Sequence, residues 1–418
     1  MNDAIAHALF FVRQGRYRQA ESHLRKAIQN DPHDPEAFFF LATCLMHDPN
    51  TRSEALSMID QALRLRPNRA FYHAQRANIL LLLSRTKAAL LEIERARSLA
   101  PDSPDSYVAE SVLMLVLGKP QEAERAARQA LALDAGNEAA GDSLADALRI
   151  QGKLEESAAQ IHALLGRNPE NPWTHSSAGM LALQRGEVRD AESHFLSALR
   201  IEPEHREARE GLLHAFRARS PLYRAYLRYS FMMEKLGRTG RGMLVIGLLI
   251  LMQIANMIFV GRLAPIGIVL IACYCLFVLW IWVSKGLGNL FLLFDRIARR
   301  ALRTDEKREA LVVGGGVLAG LASFAAGLLL KQISLIFLGL TLIAAAFPMS
   351  LVFTNQSRVG QIVFGLVGGL VYLGGLFSLL LIFLPSGRTG EVATTLFGWT
   401  MILALVTTWL GNLPILRR

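Results

Sequence analysis

Residues 170–203 read ENPWTHSSAGMLALQRGEVRDAESHFLSALRIEP, and this stretch decides the fold of the first half of the chain. Two helix-length patterns flank Gly186. Small residues stand at Gly179, Ala191 and Ala198, Phe195 supplies an aromatic, and Pro203 closes the segment. The same residue types return with a period of about 34 residues, the mark of a solenoid rather than a single globular core. Pro32, Pro67, Pro101, Pro169 and Pro203 close five of six units, with Ala135 at the corresponding place of the fourth. Ala20, Ala55, Ala89, Ala123 and Ala191 precede the closing positions by 12 residues, and Ala27, Ala62, Ala96, Ala130 and Ala198 precede them by five. Gly15, Gly118, Gly152 and Gly186 mark the turn between the two helices of a unit. A proline cannot continue a helix, so it ends the second helix of each pair.

This pattern resembles the tetratricopeptide repeat, and residues 1–34 carry it as well through Ala8, Phe11, Gly15, Tyr17, Ala20, Leu24, Ala27 and Pro32. The resemblance covers about half the chain. It implies an all-α solenoid of six helical hairpins whose small residues let paired helices approach closely. The second unit carries an extra residue near His47-Asp48-Pro49-Asn50. Ser157 and Leu164 replace alanines in the fifth, which predicts looser packing there. A repeat array needs its last face covered. Residues 206–218 fit that role, with Ala208, Leu212, Ala215 and Phe216 as an apolar stripe and Glu207, Glu210, His214 and Arg217 directed to water.

Composition changes at residue 242. From there to the end the chain is mostly Leu, Ile, Val, Phe, Ala and Gly, and runs of about 18 or more apolar residues predict membrane-spanning helices. Six such runs lie at 243–260, 266–283, 310–330, 333–353, 361–384 and 393–411, with a re-entrant hairpin as the alternative for 243–283. The expected organisation is therefore a solenoid with cap over 1–219, an interfacial linker helix over 220–242 and an integral membrane domain over 243–418 that holds a cytoplasmic amphipathic segment at 285–309. The repeat begins at Met1, so no signal peptide is expected. Lys and Arg fall 15 to one side of these runs and 3 to the other. This places both termini in the cytoplasm by the positive-inside rule. The abundance of Ala, Leu and Arg suits a bacterial inner membrane, as a matter of composition.

The net charge of +10 divides unevenly. Residues 1–220 hold 27 basic and 29 acidic side chains, and the remainder hold 18 and 6. The basic excess thus lies beside the apolar runs, where it sets orientation and attracts anionic headgroups. The repeats have no excess to meet phosphates, so nucleic acid is not an expected partner.

Two junctions read as amphipathic helices at the membrane surface. In the first, Ser220-Pro221 begins a helix that Gly237 ends. Leu222, Tyr223, Tyr226, Leu227, Ser230 and Phe231 share one face, and Arg224, Arg228 and Lys235 share another. In the second, over 287–303, Leu287, Leu290, Phe291, Phe294, Ile297, Ala298 and Ala301 oppose Asp295, Arg296, Arg299, Arg300 and Arg303. Thr304 is expected to cap the following helix, with Asp305 and Glu306 in its first turn. A lipid sensor or lever is one reading of these segments, and a pair of surface elbows is the plainer one. Ser220-Pro221-Leu222-Tyr223-Arg224 and Phe294-Asp295-Arg296 also resemble bacterial repeat proteins with C-terminal multi-span regions, a likeness that implies no activity.

No ionisable residue is expected in the centre of a span, against the habit of ion-coupled transporters. Gln253, Asn256 and Thr341 are the main polar intrusions. Gly316 with Gly320, and Gly365 with Gly369, form small-residue stripes suited to close helix packing within the bundle or between copies. Pro348 predicts a kink. The three cysteines and ten histidines form no catalytic or zinc-like spacing, and no phosphate-binding loop is present, so neither an enzyme nor a cofactor or metal site is expected.

Function then rests on the groove. The family resemblance implies that first-helix positions line the concave face. By register these are Ile5, Leu9, Val12, Phe39, Phe40, Thr43, Met46, Phe71, Ala74, Asn78, Leu81, Leu82, Val108, Val112, Leu115 and Val116 in units one to four. Units five and six are more polar there, with Asp142, Ser143, Asp146, Arg149, Ser176, Ser177 and Gln184. The Lys and Asn clamp that some members use for carboxylate termini is absent, since Ile5 and Leu9 stand at two of its positions. An apolar lining this extensive predicts a protein-binding groove for an apolar or amphipathic peptide. The expected function is a membrane-anchored cytoplasmic scaffold. The alternative is a regulatory or structural subunit of a transport or envelope-assembly system in which the bundle is the working part.

Overall fold

A computed structural model describes residues 3–236, 264–295, 298–355, 357–382 and 387–410. Every regular element among them is a helix. They fall into two compact units, Met1–Ala215 with Leu227–Ile246, and Phe216–Tyr226 with Gly247–Arg418.

Six helix pairs build the first unit: α1 (Asp3–Arg13) and α2 (Tyr17–Asn30), α3 (Pro35–Leu45) and α4 (Arg52–Leu65), α5 (Ala70–Leu82) and α6 (Thr86–Leu99), α7 (Pro104–Val116) and α8 (Pro120–Leu133), α9 (Glu138–Gln151) and α10 (Leu154–Arg167), and α11 (Pro172–Arg185) and α12 (Val188–Ile201). Capping explains where the first helices start. Asp34, Ser103, Asn137 and Asn171 each accept a backbone N–H from the first turn that follows. Pro35, Pro104 and Pro172 occupy helix starts where no N–H is missed. At the inner turns Gly15, Gly118, Gly152 and Gly186 adopt φ values of 67° to 85°. The third pair places Ser84 there instead, at φ 60°.

The repeat alanines fill the contact between paired helices and are fully buried. The looser packing expected in the fifth pair does not occur. Ser157 is buried and donates to the carbonyl of Ala145 at 2.8 Å. Leu164 fills the space opposite Gly141, where a Cβ would come within 2.6 Å of it. A small residue has moved to the partner helix, so the volume is conserved. Histidines serve as bolts between repeats: His73 and His175 reach back to the carbonyls of Pro67 and Pro169, the closing prolines of the preceding units.

Curvature follows from which helices touch. The first helices of successive pairs contact one another (α1 with α3, α5 with α7, α7 with α9, α9 with α11, and α3 with α5 through Phe39 and Phe71), while the second helices make no comparable contact. The first helices therefore line the inner face. The array curves until its end meets its start. Glu202, after α12, lies against Gly15. Glu204 pairs with Arg18 at 3.7 Å. Tyr17 stacks on His47, with ring centroids 3.8 Å apart. Burial lowers His47 to about 4, with His205 and Arg52 adding to the effect, and burial likewise lowers His205 to about 4. Burial, then the charges of Glu207 and Glu204, raises Glu202 to about 7.

A group held neutral in this way favours the closed array below its folded pKa if it is an acid and above it if it is a base. The Glu202 contribution is therefore lost as pH rises from about 4.5 through about 7, and the histidine contributions are lost as pH falls from about 6.5 through about 4. Glu202→Gln removes the alkaline loss alone. The expected result in thermal melts of the full chain is a Tm raised by roughly a few degrees at pH 8 and little changed at pH 4.5.

Beyond the pairs, α13 (Arg206–Arg217) covers the last repeat. Ala208, Leu212, Ala215 and Phe216 are buried as the stripe requires. Arg217 departs from expectation. It is buried rather than directed to water, because Asn289 and Glu306 meet it. α14 (Pro221–Lys235) follows, beginning at the proline after Ser220; Gly237 lies outside the described residues.

The second unit holds α15 (Ala264–Phe294), α16 (Ala298–Ala301), α17 (Thr304–Leu330, with a π-helical stretch at Ala310–Gly315), α18 (Ile333–Thr354), α19 (Arg358–Ile382) and α20 (Gly387–Leu410). Three of these, α17, α18 and α19, are long and apolar enough to cross a membrane. The expected run at 243–260, its re-entrant alternative, Gln253, Asn256 and Arg296 lie outside the described residues. The run read at 266–283 and the start of the segment read at 287–303 form one helix: α15 continues to Phe294, with Gly286 and Gly288 packed against Val313 and Arg217. Thr304 is the first helical residue rather than the cap. Arg303 holds the cap position, and its N–H donates to the Glu306 carboxylate at 2.9 Å. Pro348 sits inside α18, which runs through it.

Only part of the glycine pattern performs as expected. Gly320 meets Gly339 at backbone distance, and a Cβ on either would collide with the other's carbonyl. Gly316, Gly365 and Gly369 make no such approach. The buried face of α19 is instead Gly360, Phe364, Gly368, Val371, Gly375 and Ser378, one residue out of phase with Gly365 and Gly369. Gly375 lies under Thr341.

Candidate functional site

The groove lining divides by depth. Ile5 and Leu81 are buried in the core and offer no surface to a ligand. Leu9, Val12, Phe39, Phe40, Met46, Phe71, Asn78, Val108, Val112 and Leu115 are half-buried, and Leu82 and Val116 are exposed at 37% and 59%. Aromatics cluster at one end. Phe39 meets Phe40 and Phe71 edge to face, each with ring centroids 5.2 Å apart, above buried Tyr72. Edge-to-face pairs of this kind stiffen a surface without needing polar partners. Polar contacts run along the same face: Gln75 donates to Thr43 at 3.1 Å, one repeat back, and the side-chain oxygen of Asn78 is buried without a partner. Such an acceptor gains from any N–H or O–H donor brought to it.

The polar end, over repeats five and six, is occupied by the chain itself. The second half of α14 lies there. Arg149, on α9 and 5% exposed, faces Glu234 with contacts of 3.3 and 3.4 Å, and its guanidinium lies 6.0 Å from the Phe231 ring centre. Gln184 of the next repeat accepts from the same guanidinium at 3.2 Å, and Asp146 stands 3.5 Å from its Nε. Burial works against the charge of Arg149, but Asp146 and then Glu234 outweigh it and keep the group cationic. Leu227, Ser230 and Phe231, read from sequence as a membrane-facing surface, line a pocket with Met180 and Leu183 of α11 and His214 of α13. Amphipathic spacing shows that a face is covered, not what covers it. Arg224, Arg228 and Lys235 are exposed, as are Arg299 and Arg303; the side chain of Arg300 is not among those described.

A second cluster lies in the other unit and has no sequence motif. Arg217 donates from Nε to Asn289 at 2.8 Å, and Asn289 donates to Glu309 at 3.1 Å. Lys285 pairs with Glu309 at 3.3 Å, and Arg219 pairs with Asp295 at 2.9 Å. Arg217, Asn289 and Glu309 are all buried, and Glu309 directly precedes the π-helical stretch of α17. Its partners are 20 to 92 residues away in sequence, which is why spacing did not reveal it. Among the described residues no group of three or more His, Cys, Asp or Glu is placed to hold a metal.

The sequence signature of the tetratricopeptide repeat family matches residues 11–79. The Protein STIP1 homolog of Dictyostelium discoideum is 33% identical over 95 residues, covering 23% of this chain and 17% of that protein. The match thus spans about a sixth of the relative's length. Among solved structures, a thermophilic repeat protein of Thermus thermophilus is similar at 21% identity and TM-score 0.39, covering 46% of this chain and 98% of its own. The pilF protein of Pseudomonas aeruginosa is similar at 20% identity and TM-score 0.35, covering 50% and 95%. The Cut9–Hcn1 assembly of APC/C is similar at 15% identity and TM-score 0.45, covering 56% and 45%. The first unit is a helical solenoid of the tetratricopeptide-repeat kind, with residues 11–79 matching the repeat itself; proteins built on this repeat mediate protein–protein interaction.

Proposed function

We propose that the protein is a membrane-anchored scaffold whose groove over repeats one to four holds an apolar or amphipathic helix of a partner protein. The observation that carries this reading is the lining itself. Leu82 and Val116 are exposed at the ends of α5 and α7, and Phe39, Phe40 and Phe71 are half-buried on neighbouring first helices. An apolar lining of this kind suits a helix that offers side chains at i, i+3, i+4 and i+7. Anchorage rests on α17, α18 and α19, each long enough to span a bilayer. The orientation that best fits the basic residues holds the solenoid in the cytoplasm, with six spans in the bundle and Arg224, Arg228, Arg299 and Arg303 near anionic headgroups. Leu82→Asp with Val116→Asp tests the groove. Both sites are exposed, so the chain should fold and insert as before while partner capture from native membranes falls at least tenfold. Unchanged capture by the folded double variant would refute this reading.

A further inference from the structure

The groove of repeats five and six differs from the rest in being filled. We propose that this end is a binding site for an amphipathic helix bearing a carboxylate one turn after an aromatic, and that the second half of α14 occupies it in cis as an internal substitute for that ligand. The proposal rests on the groove reading above and extends it to a second site with its own chemistry.

Three observations support it. First, Phe231 and Glu234 are three residues apart on a helix and so share a face. That face meets Arg149 through both side chains. Arg149 comes from a groove-lining position, not from the core of a repeat. Second, the fit is incomplete. The contacts to Glu234 are 3.3 and 3.4 Å, where a charge-assisted pair reaches about 2.7–2.9 Å. The Nε of Arg149 makes no hydrogen bond to α14 and has Asp146 at 3.5 Å. Beside them remains a pocket of about 330 Å³ lined by Met180, Leu183, His214, Leu227 and Phe231. This pocket is open to the surface beside α14. A ligand with a larger aromatic and a better-aligned carboxylate has room to improve on α14. Third, Arg149 stays cationic and is almost wholly buried. Removing α14 without replacement takes away the Glu234 carboxylate and leaves Asp146 as the one remaining acidic partner of this guanidinium among the described residues, a loss of half its charge compensation. Exchange for another carboxylate-bearing helix avoids the penalty, so the site is suited to competition and discriminates against neutral helices.

The test uses the full chain in detergent and a fluorescent peptide with the sequence of residues 221–236. The wild-type chain should bind the peptide weakly, because α14 competes at high effective concentration. The chain carrying Phe231→Ala and Glu234→Ala frees the groove and should bind it at least tenfold more tightly. On that same chain, the peptide with Glu234→Ala should lose at least tenfold. This last arm alters only the peptide, so misfolding of the protein cannot mimic it. No gain on the freed chain, or equal binding of the two peptides, would overturn the proposal and leave α14 a structural plug. Either failure leaves the Leu82 and Val116 result standing, since those residues lie in other repeats.

Discussion

Arg217→Ala is expected to destabilise the second unit by about 3–5 kcal/mol, the cost of breaking a buried charged network from one side. The guanidinium is buried, donates to Asn289 and stands 3.6 Å from Glu306. Asn289 in turn holds Glu309, whose carboxylate is buried with Lys285 as its ion-pair partner. Removing Arg217 leaves acceptors that water cannot reach. Two residues on, Arg219 pairs with Asp295 at a half-exposed site, where such pairs contribute roughly 0–1 kcal/mol. Arg219→Ala is therefore the matched control. Denaturant unfolding of the two variants in the same detergent should separate them by several kcal/mol, and equal stabilities would show that the network is not coupled to the fold.

The second large effect turns on neighbouring leucines. Leu81 is 7% exposed and packs in the core cluster with Ala77, Ala89 and Leu113, whereas Leu82 is 37% exposed, at a position of the proposed groove. Leu81→Asp forfeits about 1.5–3 kcal/mol of apolar burial and also places a carboxylate inside a cluster of apolar side chains. The third repeat should unfold, and with it the inner face on either side. Leu82→Asp should leave the melting temperature within a few degrees and act only on binding. Far-UV circular dichroism melts of the two variants make this comparison. A Leu81→Asp chain as stable as the Leu82→Asp chain would mean that the register of α5 is wrong.

Much of the solenoid was legible in sequence because each repeat restates the same local physics. Alanines at the helix–helix contact, a positive-φ glycine at the turn and a proline at the end recur until a single register accounts for all of them. The same register separated groove positions from core positions less well. Position 5 of the first repeat (Ile5) and position 12 of the third (Leu81) turn inward because the neighbouring first helix overlies them, and curvature of the array is not written in any one repeat. The junction was harder still. An amphipathic helix with tyrosines and arginines has one signature whether its apolar face meets lipid headgroups or another helix. The pairing of Phe231 and Glu234 with Arg149 spans about 80 residues and leaves no pattern in either segment. Within the bundle, Gly365 and Gly369 are one residue out of phase: a stripe of glycines was visible, but the buried face runs through Gly368 and Gly375.

Site-specific photocrosslinking in native membranes tests the central claim most directly, with the probe at Leu82 inside the groove or at Leu91, 64% exposed on α6, one of the second helices that stand away from the inner face. The account predicts one discrete partner crosslinked from position 82, absent from position 91 and lost when Val116→Asp is added. Equal labelling from both positions, or none from position 82 in a folded chain, would contradict it.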